Sequence, residues 1–193
     1  MKSKFGIYFI LIILLCFSCK NHRLVHDIKS LSGSTIKIPN NLCAKIEGRD
    51  TSLLVNQSEF ATMIIWYDTI QCASCSMNSV NIWKTFFEYS FDSIEGFNPI
   101  IIFSPNKRLL RDFEVSLKVT KFKYPVLVDY DNIFQRINPQ IPMTSNLFHV
   151  FLLDKNKKVV LVGNPLDNKL LLQLYKKTIH ELVDNEGVLV DDK

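Results

Sequence analysis

The chain has 193 residues, 47% hydrophobic and 11% aromatic, with fourteen Phe, six Tyr and two Trp, which is enough apolar area for one ordinary domain plus a short extra segment and excludes a disordered chain. Six Gly and seven Pro exclude a collagen-like or low-complexity chain, and five Cys are too few for a disulfide-dense miniature scaffold. The net charge is +4, from 23 Lys+Arg against 19 Asp+Glu, and Lys2 and Lys4 at the extreme N-terminus supply two of those charges, so nucleic-acid binding by bulk electrostatics has no support.

Residues 1–19 read MKSKFGIYFILIILLCFSC. Two lysines precede an apolar run from Phe5 to Phe17, thirteen residues that fall short of the ~20 needed to span a bilayer but suit the apolar region of a secretory signal. Ser18-Cys19 and then polar chain follow. The arrangement resembles a bacterial lipoprotein signal, although Cys16 stands three residues before Cys19 where such signals usually carry Leu. The resemblance implies that residues 1–18 are removed, that Cys19 is acylated, and that the mature protein sits in the cell envelope. There it would be lipid-anchored on the extracytoplasmic side, where disulfides persist. A plain signal peptide or an uncleaved anchor is the alternative. Residues 20–33 (KNHRLVHDIKSLSG) show no sustained period, so 19–33 is expected to be a lipidated tether and 34–193 the domain.

Ser34–Ile38 alternates and stops at Pro39, which predicts a short edge strand. Ala61–Tyr67 (ATMIIWY) is continuously apolar, as a strand buried on both faces requires. From Ser74 to Tyr89 the residues Met77, Val80, Trp83, Phe86 and Phe87 recur at helical spacing. Pro99–Phe103 predicts a further buried strand and Lys107–Val119 a helix with Leu109, Leu110, Phe113 and Leu117 on one side. Pro125–Val128 reads as a short strand and Asp131–Ile137 as a helical turn. His149–Leu153, the turn at Asp154–Lys157, and Lys158–Val162 predict a hairpin. Leu166–Val183 closes the chain as a helix. Strands alternating with helices, then a hairpin and a helix, indicate an α/β layer structure with a mixed sheet.

Cys72-Ala73-Ser74-Cys75 lies between the end of a buried strand and the start of an amphipathic helix. Two cysteines at this spacing can close a small disulfide across one helical turn. A helix N-terminus stabilises a thiolate at Cys72, which makes it the attacking group and Cys75 the resolving one. A zinc site would need two more ligands, and His149 is the sole His of the predicted core. A purely structural disulfide would gain little from so short a loop. Asp68, four residues before Cys72, reads either as a proton acceptor for Cys75 or as a cap on the strand end.

The stretch MIIWYDTIQCASC, the segment KYPVLVDYDNIFQRIN and the hairpin HVFLLDKNKKVVLVGNP resemble, in that order, the corresponding parts of thioredoxin-fold proteins of the TlpA/ResA (redoxin) branch. The resemblance covers about residues 34–185. It implies a thioredoxin-like three-layer sandwich, a central mixed sheet flanked by helices, and a membrane-tethered thiol–disulfide oxidoreductase without a cofactor. Protein thiols or disulfides would be its substrates, with an extracytoplasmic reductant or oxidant as redox partner. Cys72 and Cys75 carry over as nucleophile and resolving cysteine. Three features depart from the family. The cis-proline that faces the CxxC and pairs with the substrate chain would fall near Phe148, so Leu147 and Phe148 become the docking positions, joined by an ordinary trans bond. Gln71 stands where Trp usually precedes the motif. Trp66 occupies the place of the buried acidic residue.

These departures keep other readings open. The same fold can serve as a non-catalytic binding or scaffold lipoprotein with a structural or vestigial CxxC. Thr69, three residues before Cys72, is a peroxiredoxin-like feature. Cys72, Cys75 and His149 together have the donor types of a copper carrier. Cys43 reads as an unreactive thiol, with a bridge to the CxxC pair left open.

Overall fold

The computed structural model describes residues 24–51, 60–69, 77, 80–143 and 145–189, with 90–93 described as backbone. Within the sheet lies β3 (Ala61–Tyr67), six of whose seven residues are buried, as a run that is apolar but for Thr62 requires. β4 (Phe97–Phe103) runs parallel to it from Ala61 opposite Phe97 to Tyr67 opposite Phe103. β5 (Val126–Val128) runs parallel to β4 and pairs only with Ile101–Phe103. At Pro99, therefore, β4 has no β5 residue beside it, and a proline without an N–H is tolerated inside a central strand.

Antiparallel strands complete both sides. β6 (Val150–Leu153) pairs with β3 and with β7 (Val159–Val162). On the other side β1 (Cys43–Ile46) pairs with β5 and with β2 (Arg49–Asp50). The order among the described residues is β2-β1-β5-β4-β3-β6-β7.

Helices cover both faces. Residues 24–31 form α1, followed in chain order by α2 (Lys84–Ser93), α3 (Leu110–Val119), α4 (Ile133–Ile137) and α5 (Lys169–Asp184). One face of the sheet buries Met63, Ile65 and Ile101 with Phe86 and Phe87 of α2, Phe113 and Leu117 of α3, and Tyr175, Ile179 and Leu182 of α5. The other buries Ile64, Trp66, Ile102 and Phe151 with Leu31 of α1 and Phe134 of α4. The result is the expected mixed sheet between two helical layers. Among the described residues no helix is long and apolar enough to cross a membrane.

Four local features differ from the sequence expectation. Ser34–Ile38 is not a strand, because it makes one ladder bridge, Thr35 to Lys158. Its other groups are held by side chains: Asn138 accepts from Lys37 N and donates to Lys37 O, and Gln140 donates to Thr35 O. The first ladder strand is β1 instead, turned into β2 by Glu47 and Gly48, both at positive φ. A Cβ on Gly48 would stand 2.5 Å from Lys118 Cγ, so glycine is required there. Residues 24–31, within the stretch expected to be a tether, are helical, and Leu31 is fully buried. The expected helix from Ser74 is seen at Met77, tightens to a 3₁₀ turn over Val80–Trp83, and becomes α-helical at Lys84. Its Ser74 start lies outside the described residues.

Candidate active site

The C-terminal end of β3 is where the sequence places the chemistry, and it is tightly built. Tyr67 O accepts from Ser104 N at 2.8 Å, and Trp66 Nε1 donates to Ser104 Oγ at 3.0 Å, so β3 and β4 are tied together where both finish. On the α2 face Tyr67 stacks on Phe103 with ring centres 4.6 Å apart, and Trp83 Nε1 donates to the Tyr67 hydroxyl at 2.8 Å. Burial pushes the Tyr67 phenol up, which keeps it a neutral hydrogen-bonding group. Met77, Val80, Trp83, Phe86 and Phe87 are all buried, so the helical period read from the sequence faces the core.

On the opposite face Trp66 stands between Phe134 and His149, with ring centres 5.3 Å and 4.7 Å away. His149 Nε2 lies 3.8 Å from Asp68 Oδ2, and each side chain is only 3% exposed. The separation is too long for a hydrogen bond but short for two groups of this kind out of water. Burial holds the His149 imidazole below its ordinary range, and the Asp68 charge pulls it back up. Asp68 shares a buried polar site with His149, on the Trp66 side of the sheet and not on the side that α2 covers.

That meeting follows from register. β6 is antiparallel to β3 with Ile65 opposite Val150, so the residue before Val150 falls beside Trp66 and near Asp68. Sequence reasoning singled out both residues but did not join them, because only the pairing of β3 with β6 brings them together.

Leu147 and Phe148, expected to be the docking positions, lie in a 3₁₀ turn over Asn146–His149. No cis peptide bond occurs among the described residues, so the bond joining them is trans as expected. The turn alters what they offer. Leu147 N donates to Ser145 Oγ at 3.3 Å and Phe148 N to Ser145 O at 3.2 Å. The Phe148 side chain is fully buried. Both N–H groups are therefore engaged within the turn.

Cys72, Cys75 and Cys19 lie outside the described residues. Cys43 is a free, half-buried thiol that donates to Asp50 Oδ1 at 3.4 Å. Burial first, and then that hydrogen bond, push the thiol up, which suppresses its thiolate as an unreactive cysteine requires. Register sets Cys43, Val128, Phe103 and Tyr67 in one row across the sheet. Cys43 therefore stands at the same end as the strand that leads to the CxxC, three strand spacings or roughly 14 Å away. Among the described residues no three His, Cys, Asp or Glu side chains are grouped to hold a metal ion.

The fold has a recognisable relative among solved structures. The thioredoxin domain of a thiol-disulfide oxidoreductase from Bacteroides vulgatus matches 77% of this chain and 97% of its own, at a TM-score of 0.51 and 15% identity. The fold is thioredoxin-like. A thioredoxin-like protein from Porphyromonas gingivalis matches 78% of this chain and 95% of its own at 21% identity and a TM-score of 0.46. A putative thiol:disulfide interchange protein DsbE from Chlorobium tepidum matches 64% of this chain and 83% of its own at 18% identity and a TM-score of 0.46. No protein-family model matches the sequence, and no curated protein does. In the sequence Cys72-Ala73-Ser74-Cys75 begins five residues after the end of β3, with Asp68 four residues before Cys72.

Proposed function

We propose that the chain is a thiol–disulfide oxidoreductase acting through Cys72 and Cys75, anchored by a lipid on Cys19 at the extracytoplasmic face of a bacterial membrane. One observation carries the reading. In the sequence the CxxC begins five residues after the end of β3, an inner strand of a thioredoxin-like sheet, and precedes a helix whose apolar face packs on that sheet. In the reducing direction the Cys72 thiolate attacks one sulfur of a substrate protein disulfide. That S–S bond breaks, the leaving sulfur takes up a proton, and a mixed disulfide remains. The Cys75 thiolate then attacks the Cys72 sulfur, releases the second substrate thiol, and leaves the 72–75 disulfide carrying the two-electron oxidation. An extracytoplasmic reductant would restore the dithiol, or an oxidant would run the cycle in reverse. Asp68 and His149, buried together just past the end of β3, act as positioning residues.

Cys72→Ser should abolish disulfide reduction in an insulin assay. Cys75→Ser, which keeps the attacking thiol, should accumulate a mixed disulfide visible on a non-reducing gel. Equal turnover in Cys72→Ser and the parent chain would remove the assignment.

A second reading, a binding or scaffold module with a structural CxxC, is favoured by the engaged N–H groups of Leu147 and Phe148. A redox titration with thiol alkylation separates the two. A pair still oxidised well below about −300 mV is structural, whereas an exchanging pair titrates above that.

A further inference from the structure

The end of the sheet opposite the CxxC carries a feature that redox chemistry does not use. The turn between β6 and β7 is fixed by Asp154, whose Oδ1 accepts from Asn156 N and Lys158 N, both at 2.8 Å. This buried carboxylate shapes the turn and leaves Lys155 and Lys158 in solvent. The chain just after α1 runs alongside: Ile36 N donates to Lys157 O, and Val159 N to Ser34 O. Between the two segments opens a cleft of about 430 Å³ lined by Ile36, Lys37, Asn40, Lys155, Asn156 and Lys157. Lys157 Nζ donates to the buried Thr62 Oγ1 at 3.2 Å, which ties the turn to the start of β3. Three lysines and two asparagines, with two isoleucines, line one opening. The C-terminal turn, whose Gly187 O accepts from Lys155 N, brings Glu186 to this end as a counter-charge.

The same end receives the last turn of α1. α1 begins at residue 24 with Leu24 and Val25 exposed, and its last residue, Leu31, is buried with Ile36, Leu153 and Val159. Four residues lie between Cys19 and residue 24, and the five steps span at most about 18 Å. A body held by a lipid on Cys19 therefore keeps residue 24 within that distance of the headgroups, and α1, about 10 Å long, leads from there to this end.

We propose that the cleft lined by Lys37, Lys155 and Lys157 is a docking surface for the anionic phospholipid headgroups of the membrane that holds the anchor. This rests on the lipid-anchor reading above. The geometry also sets an orientation. Leu153, just before the basic turn, is opposite Thr62 near the start of β3, whereas Asp68 follows its other end. With the basic end on the lipid, the seven residues of β3 carry the CxxC end roughly 20 Å outward, where a protein partner can reach it.

The test is lysine footprinting by limited acetylation and mass spectrometry. The full-length lipidated protein is reconstituted on vesicles of phosphatidylcholine, and on vesicles in which phosphatidylglycerol replaces roughly a third of it. Acetylation of Lys37, Lys155 and Lys157 should slow by about fivefold or more on the anionic vesicles alone, and raised salt should reverse it. Lys84 and Lys107 should label equally on both. A Lys37→Glu/Lys155→Glu variant, which keeps the Lys157–Thr62 bond, should lose the protection at Lys157. Equal labelling on the two vesicles, protection of Lys84 and Lys107 instead, or equal protection by inorganic phosphate in solution would each overturn the docking surface. Retention on pure phosphatidylcholine after a carbonate wash is read separately. Its failure removes the lipid anchor, while the anionic arm still decides the lysine cleft.

Discussion

Where β3 ends, Trp66, Asp68 and His149 are buried against one another, and Trp66 bonds to the fully buried Ser104. At the other end of the same sheet Lys37, Lys155 and Lys158 stand in solvent around a turn whose one buried carboxylate serves the backbone. Both ends are polar, but the physics differs. Buried polar groups in low dielectric are expensive to leave unmatched, so the first end couples strongly to folding. Exposed lysines are solvated and screened, so the second end contributes little to folding and is available for a partner. The comparison makes graded predictions.

The largest effect is expected at Trp66. Trp66→Ala removes a fully buried indole and strips Ser104 Oγ of its donor, which should cost about 3–5 kcal/mol in urea unfolding. Trp66→Phe keeps the ring contacts with Phe134 and His149 and loses only the Nε1 hydrogen bond, so its cost should be about 1–2 kcal/mol. If the two variants were equally stable, the ring would contribute nothing beyond its hydrogen bond, and the tight packing of this end would be contradicted.

A smaller effect, and a sharper one, is the pH response of His149. Burial holds its pKa below the ordinary 6.5, against the opposing pull of Asp68. The unfolded chain therefore binds more protons than the folded one between the folded value and 6.5. Stability from this residue is fully present above pH 6.5 and is lost as pH falls from there toward the folded value. Urea midpoints measured from about pH 7.5 to about pH 5.5 should fall in the parent chain, and His149→Gln should flatten that part of the curve. An unchanged slope in the variant would place the titration on another group.

How far these features could be read from the sequence depends on whether the signal is local. β3 was legible over its full length because a seven-residue run, apolar but for Thr62, admits a strand buried on both faces. The final helix was legible by period, yet begins at Lys169 and not Leu166, because Asn168 caps it through Leu171 N and the preceding residues form a turn on Asn164. The β1–β2 hairpin was not legible. Its strands are four and two residues long, and its turn puts Glu47 at φ 49°, a place where Asn or Asp would have signalled the turn. Ser34–Ile38 carried a strand's alternation, but Asn138, 101 residues from Lys37, supplies the bonds that a neighbouring strand would have made. At the site, Asp68 and His149 were each visible as residues. Their meeting was not, since it depends on a β3–β6 register that no local pattern encodes.

The smallest expected effect belongs to the basic end and completes the contrast. Lys37→Ala/Lys155→Ala leaves the Asp154 turn intact, because that turn is held by backbone N–H groups of Asn156 and Lys158. It also leaves Lys157 on Thr62, whose hydroxyl is buried and would lose a partner if Lys157 were the residue changed. The double variant should thus unfold within about 0.5 kcal/mol of the parent in solution. Lys157→Ala should cost more than either of the others, about 1 kcal/mol, through the stranded Thr62 hydroxyl. A double variant destabilised as much as Trp66→Phe would show that the lysines belong to the folded core, and the division of the sheet into a packed end and a presented end would fail. A neutral double variant means that the positive charge gathered at this end is not maintained by folding, so its reason must be sought in what it meets.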